Sequence, residues 1–413
     1  MRILAITNLY PNPLQPHRGT FNRQQFRALA ESHEVRVIAP IAWTDERGAR
    51  KASQRVLPDD RRVECDGLVV DHPKYWFTPR ILRGCYGRFF RHSIQRTFER
   101  AISEFRPDLI LSAWAYPDGW AGVELGHRAG LPVVVKVHGS DILTLAHVPG
   151  RGKPTARAMR QADGVVAVSR DLADKVVGMG ADPARVTVVY DGIDSARFHP
   201  GSKAEARQRA GVAGGDERVV LFVGNLVPVK GIDVLIDAIA RLRRGGDRVR
   251  CFIVGQGPLR QTLELQAARL GISDRVSFVG PVLHAELPDW FRAADVFVLP
   301  SHSEGVPCVL LEAAGCRTPY VASRVGGIPE IADWNRGEMV QPGDAGALAE
   351  AISRVLATAE QGAGARATFD RSHADAAGEI GAFCERVLND YVRRPRVSSA
   401  SPTGYVVTQP KTS

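Results

Sequence analysis

The sequence lacks most of the signatures that would take it out of ordinary globular chemistry. Its six cysteines (65, 85, 251, 308, 316 and 384) form no C-x-x-C pair and fall at no metal-ligand spacing. That argues against a zinc module or a disulfide scaffold, and the cysteines read as reduced core thiols of a cytosolic protein. No apolar run approaches the roughly 20 residues needed to span a bilayer. The opening Met1-Arg2-Ile3-Leu4-Ala5-Ile6-Thr7 is too short for a signal peptide and runs into a proline-rich loop, so it predicts a first buried strand. There is no G-x-S-x-G elbow and no H-E-x-x-H pair, which removes the hydrolase nucleophile turn and the zinc protease helix. Gly150-Arg151-Gly152-Lys153-Pro154-Thr155 has the glycines and lysine of a phosphate loop without its spacing. The loop Asn8–Pro16 lacks the glycines of a dinucleotide site, which disfavours a dehydrogenase.

What is present is a soluble globular composition, 44% apolar and 24% charged, in a chain of 413 residues, long enough for two cores. The net charge of +9 favours anionic partners. No nucleic-acid module motif accompanies it, so nucleic acid is not expected among them. Short apolar runs alternate with amphipathic helical segments almost from end to end, the pattern of an α/β chain with doubly wound parallel sheets. Continuous runs such as Val219-Val220-Leu221-Phe222-Val223 predict strands buried on both faces. The pattern runs once over 1–198 and again over 217–375. Between them 199–216, with His199-Pro200-Gly201-Ser202 and Gly214-Gly215, reads as a linker. A last helix over 376–393 is expected to pack back toward the first domain, and 394–413, rich in Ser, Thr and Pro, reads as a disordered tail.

The strongest chemical signal is Ser303-Glu304-Gly305-Val306-Pro307-Cys308-Val309-Leu310-Leu311-Glu312-Ala313. It follows a strand and opens a helix, the edge at which open α/β sheets bind ligands. Gly305 and Pro307 shape the turn, and the free N–H groups of the new helix suit an anion. A fully helical stretch would put the two glutamates ~12 Å apart along its axis, the span between the two hydroxyl-bearing ends of a nucleotide sugar. Glu312 then suits a ribose diol and Glu304 the transferred sugar.

This segment resembles the paired-glutamate signature of glycosyltransferase family 4, whose members retain anomeric configuration and have the GT-B fold: two facing Rossmann-like domains with an interdomain cleft. Other stretches resemble the family in order, up to about residue 393. His138-Gly139-Ser140-Asp141 after a strand is similar to the family's H-G-x-D turn, which implies His138 beneath the sugar. Val223–Gly231 resembles its phosphate-handling segment, with Lys230 on the leaving diphosphate; Asn225 stands where many relatives carry Arg and supplies no charge. Gly255-Gln256-Gly257-Pro258 is similar to a turn used near the base or phosphates, and Gly19-Thr20-Phe21 to the glycine-bearing N-terminal loop. Asp191-Gly192-Ile193-Asp194 resembles the family's N-G-I/V-D turn, with Asp191 in place of Asn, and reads first as a tight turn at the domain exit; Gly326-Gly327-Ile328-Pro329-Glu330 is similar to its G-G-x-x-E turn and is equally readable as structural.

The resemblance implies catalytic roles for His138, Glu304 and Lys230. It implies a donor site of Gly19, Asn225, Gly255, Gly257, Gly305, Val306 and Glu312. The co-substrate would be a nucleoside diphosphate sugar and the acceptor a glycan or lipid-linked hydroxyl, in cell-envelope polysaccharide or glycolipid assembly. No D-x-D occurs, so neither a metal nor another cofactor is implied. An epimerase or phosphorylase of the same architecture, or a nucleotide-sugar-binding module, remains the alternative. Finally, Pro79–Arg106 interleaves arginines with apolar residues at helical spacing. It reads either as a core-facing helix with a basic outer face or as a helix docking on the anionic inner face of the cell membrane.

Overall fold

The structure, a computed structural model, describes residues 1–16, 18–51, 57–212, 217–331, 337–360 and 369–393; the expected tail lies outside them. Two sheets organise the chain. The first contains Arg2–Ile6 (β1), Glu34–Ile38 (β2), Arg62–Cys65 (β3), Leu68–Asp71 (β4), Leu109–Ala113 (β5), Val133–Val137 (β6), Gly164–Ala167 (β7) and Val186–Val188 (β8). Their spatial order is β8-β7-β6-β5-β1-β2-β4-β3. All neighbours are parallel except the edge pair β3 and β4.

The second sheet contains Arg218–Val223 (β9), Val249–Val254 (β10), Val276–Gly280 (β11), Val296–Leu299 (β12), Tyr320–Ser323 (β13) and Gly337–Val340 (β14). Its order is β11-β10-β9-β12-β13-β14, parallel throughout. Both sheets reverse direction of winding beside their first strand, β1 in one and β9 in the other, the point at whose carboxyl edge open α/β sheets bind ligands.

Burial on both faces explains the continuous apolar strands: Val133, Val134, Val135 and Val137 of β6 are all fully buried, as are Val220, Leu221 and Phe222 of β9. The stretch 199–216 is more than a linker. It carries the helix Lys203–Arg209, capped by the Ser202 hydroxyl. Arg207 and Lys203 pair with buried Asp295 just ahead of β12, which fixes this helix to the second domain.

The chain then crosses back. Ile193 N–H donates to the Arg371 carbonyl at 2.9 Å and His373 N–H to the Ile193 carbonyl at 3.1 Å. From there the helix His373–Arg393 lays Ala376, Ile380, Phe383, Cys384 and Val387 against Ile3, Phe26, Leu109 and Val166 of the first domain. The spacing of these residues is one helical stripe.

The segment Pro79–Arg106 divides into a 3-10 turn, Arg83–Cys85, and the helix Tyr86–Phe105. That helix spends its apolar stripe, Phe90, Ile94, Phe98 and Ala101, on the core. The apolar side chains left in water are Ile81 and Leu82, 62% and 58% exposed, in the connector ahead of it.

Candidate active site

After β12 the chain turns through 300–307 and enters the helix Cys308–Gly315, with Pro307 at its N-cap. Glu304 therefore lies in the turn and not on the helix, so the axial spacing expected of a fully helical stretch does not apply. Its Oε1 accepts from the Lys230 ammonium at 2.6 Å and from the Ser301 hydroxyl at 2.7 Å. Lys230 closes the 3-10 turn Pro228–Lys230 that follows β9. Strand ends β9 and β12, neighbours at the winding reversal, thus deliver one cation and one carboxylate to the same point. The Val306 side chain is buried, which leaves only its backbone to face a ligand. Glu312, on the helix, is nearly buried. Its Oε1 lies 2.8 Å from His284 Nε2, and its Oε2 is buried with no hydrogen-bond partner among the described residues. A buried acceptor left without a donor is costly, and a ligand hydroxyl would satisfy it.

The first domain supplies His138 at the end of β6. The Asp141 carboxylate accepts from the N–H groups of His138 (3.1 Å), Gly139 (2.9 Å) and Ala115 (3.0 Å), fixing the turn. The imidazole lies between Phe21, centroids 4.8 Å apart, and Trp114, 6.2 Å apart. Burial, reinforced by the nearby Lys136 ammonium, pushes its pKa down to about 3. It is therefore a neutral ring at physiological pH, and its Nε2 has no partner among the described residues.

Backbone meets backbone where the domains join. A Cβ on Gly139 would stand 2.9 Å from Gly305 Cα, and one on Gly305 would stand 2.4 Å from the His138 carbonyl oxygen. Only two glycines allow this approach. Gly327 N–H donates to the Gly305 carbonyl at 2.8 Å. Three residues on, the Glu330 carboxylate caps a helix of the other domain: it accepts from Arg170 N–H (2.7 Å), Asp171 N–H (2.9 Å) and the Tyr190 hydroxyl (2.7 Å). A carboxylate at a helix N-terminus is favourable, so the G-G-x-x-E turn is an interdomain clasp here. Beneath the seam, Lys136 and Asp191 form a buried ion pair at 2.6 Å. Burial acts to raise the Asp191 pKa, and Lys136 overrides it, leaving that pKa lowered.

Of the remaining expected residues, Gly255 and Gly257 lie on the backbone of Gly224 and Leu226, where a Cβ would fall 1.9 and 2.4 Å from carbonyl oxygens. They lock the loops after β9 and β10 together. Asn225 is exposed on a pocket shared with Gln256, Gly257 and Arg260. Arg260 does not replace the missing arginine freely, because it already donates to Glu264 at 2.8 Å and to the Phe278 carbonyl at 3.1 Å. Gly19 is the left-handed N-cap (φ 61°) of the helix Thr20–Leu29, which carries Phe21 to His138.

The structure thus brings His138, Gly305, Glu304 and Lys230 together, with Val306 and Glu312 continuing from them along the chain. Sequence reasoning missed Ser301, His284 and the Lys136–Asp191 pair. Ser301 had a signal, three residues ahead of Glu304 at a strand end. His284 had none.

Comparison with known proteins agrees with this fold. Residues 19–197 match the family model "Glycosyltransferase Family 4", and residues 203–366 match "Glycosyl transferases group 1". The chain is 32% identical over 362 residues to a putative teichuronic acid biosynthesis glycosyltransferase, TuaC, of Bacillus subtilis, covering 86% of this chain and 89% of that one. It is 30% identical over 367 residues to a GDP-mannose-dependent alpha-(1-6)-phosphatidylinositol monomannoside mannosyltransferase of Mycolicibacterium smegmatis, with the same shares. Among solved structures, sucrose-phosphate synthase from Thermosynechococcus elongatus superposes with a TM-score of 0.70 at 22% identity, over 94% of this chain and 96% of that one. Anabaena HepE in complex with UDP-glucose gives 0.66 at 20% identity, over 95% and 98%. With its two facing sheets and its paired glutamates, the chain belongs to glycosyltransferase family 4 and is a glycosyltransferase of the GT-B fold.

Proposed function

We propose that the protein transfers a sugar from a nucleoside diphosphate sugar to a hydroxyl of an envelope glycan or glycolipid precursor, with retention at the anomeric carbon. The observation that carries this reading is the junction of Lys230, Glu304 and Gly305 with the His138-Gly139 turn, flanked by two buried polar atoms without partners among the described residues, His138 Nε2 and Glu312 Oε2. In this reading Glu312 Oε2 accepts from a ribose hydroxyl and Glu304 orients the sugar. Lys230 and the N–H groups at the start of Cys308–Gly315 hold the diphosphate. The acceptor hydroxyl approaches the anomeric carbon from the face the diphosphate leaves. The bond from that carbon to the diphosphate oxygen breaks, the bond to the acceptor oxygen forms, and the acceptor's proton passes to the departing oxygen.

Charge building on the diphosphate falls to Lys230 and the backbone N–H groups, so no step calls on a metal ion. A neutral His138 suits this arrangement, since a second positive charge would oppose the one developing on the sugar ring. Apposed domains exclude water, which would otherwise compete as acceptor. Two relatives, one assigned to teichuronic acid biosynthesis and one a phosphatidylinositol monomannoside mannosyltransferase, support an acceptor of the envelope class.

Uridine, guanosine and adenosine diphosphate sugars, tested by thermal shift, identify the donor. One base is expected to stabilise the protein by about 3 kcal/mol at a hundredfold excess over its Kd. No stabilisation by any of the three would contradict a donor site.

The acceptor reading includes docking on an anionic membrane face. Among the described residues no helix is long and apolar enough to cross a membrane. The docking surface is the connector carrying Ile81 and Leu82, with the arginines around it, because the helix that follows has its apolar stripe in the core.

A further inference from the structure

Beside that connector lies a pocket of about 560 Å³, bounded by the start of the helix Tyr86–Phe105, the turn Ala115–Gly119 and the helix Gly152–Gln161. Its lining includes four cations, Arg88, Lys153, Arg157 and Arg160, and among the described residues no carboxylate. Tyr116 and Trp120, both buried, form an apolar wall. Tyr116 is fixed by hydrogen bonds through its hydroxyl to Gly87 N–H (2.7 Å) and the Gly84 carbonyl (2.8 Å). Arg157 is committed to Glu124 at 2.7 Å, and Arg160 donates to the Met179 carbonyl at 3.3 Å. Arg88 and Lys153 are exposed and make no ion pair among the described residues. Lys153 sits in the first turn of its helix, where the dipole opposes a cation unless an anion is near. The pocket's edge, Gly84, is two residues from exposed Leu82.

A cation-lined hollow against aromatic walls, next to two unpartnered aliphatic side chains, is complementary to a phosphate monoester carrying a hydrocarbon tail. We infer that this pocket binds the phosphate of a lipid, with Arg88 and Lys153 on the phosphate oxygens and Ile81 and Leu82 on the tail. It is a subsite of the acceptor domain, separate from the diphosphate site at Lys230. The inference rests on the reading that the acceptor is membrane-borne.

The test is titration of the full chain with farnesyl phosphate, followed by tryptophan fluorescence and calorimetry. Farnesol and inorganic phosphate are run as controls, alongside the double variant Arg88→Gln/Lys153→Gln. Both replaced side chains are at the surface, so the variant keeps the fold. Farnesyl phosphate is expected to bind at one site. Inorganic phosphate and farnesol should each bind at least about tenfold more weakly, and the double variant should lose about tenfold in affinity. Its thermal shift with the nucleotide-sugar donor should be unchanged. Equal affinity for inorganic phosphate would make this a free-anion site and overturn the lipid assignment, and unchanged affinity in the double variant would place binding elsewhere. Flotation on phosphatidic acid vesicles but not on phosphatidylcholine vesicles tests the docking separately. Farnesyl phosphate binding without such flotation supports the pocket and contradicts the docking, whereas loss of the donor shift in the unaltered protein contradicts the donor site alone.

Discussion

Lys230→Ala is expected to lower kcat by about two to three orders of magnitude, the usual cost of removing one group that stabilises charge developing in a transition state. The leaving diphosphate gains negative charge as its bond to the sugar breaks. Lys230 is the cation delivered to that point by the loop after β9, and Asn225, five residues earlier, brings none. KM should rise less than kcat falls, because the bound diphosphate already carries charge and part of the interaction is uniform binding. The fold should persist. Lys230 is partly exposed, and Glu304 keeps its bond from the Ser301 hydroxyl when the ammonium is gone. Steady-state kinetics with the preferred donor, alongside a melting curve, check both statements. Turnover within about threefold of the parent would remove Lys230 from the mechanism.

Lys136→Met should cost about 3–5 kcal/mol of stability, the range for breaking a buried ion pair from one side. The Lys136 side chain is 1% exposed and that of Asp191 14%, with 2.6 Å between the charges. Methionine matches the lysine stem in volume but leaves the carboxylate buried and unpaired. Burial, no longer opposed by Lys136, then raises the Asp191 pKa. A carboxyl whose folded pKa lies above its unfolded value keeps its share of stability at low pH and loses it as pH rises through the folded value. The deficit of the variant should therefore shrink on acidification. The double variant Lys136→Met/Asp191→Leu should recover most of the loss, since an apolar pair of similar volume replaces a desolvated ionic one. Urea midpoints at two pH values decide it. A deficit that does not change with pH would show that Asp191 is not the group left behind.

How far the sequence could be read depended on the range of the interaction. Strands such as Val219–Val223 announced themselves, as did the run Val133–Val135 at the start of β6, because burial on both faces demands unbroken apolar runs. The short edge strand Arg62–Cys65 alternates charged with apolar residues and is partly exposed, so it carries no such signal. Gly337–Val340 is equally short. The helix Lys203–Arg209 was hidden by the glycines and prolines around it; its stability comes from Asp295 and Asp289, some 80 to 90 residues away. Glu304, Lys230 and His138 were legible because each sits at a strand end inside a recognisable turn. The capping of Arg170–Gly178 by Glu330 was not, since the partners lie 160 residues apart and in different domains. The arginine-rich segment left two readings open, because an amphipathic stripe does not say which apolar surface it faces; the helix Tyr86–Phe105 turns its stripe to the core, the first of the two.

Hydrogen exchange with and without the preferred nucleotide sugar tests most directly whether one ligand joins the two domains. Slowed exchange is expected at 139–142 and 303–312 together. Slowed exchange confined to the second domain, leaving the His138-Gly139 turn unchanged, would contradict a shared site.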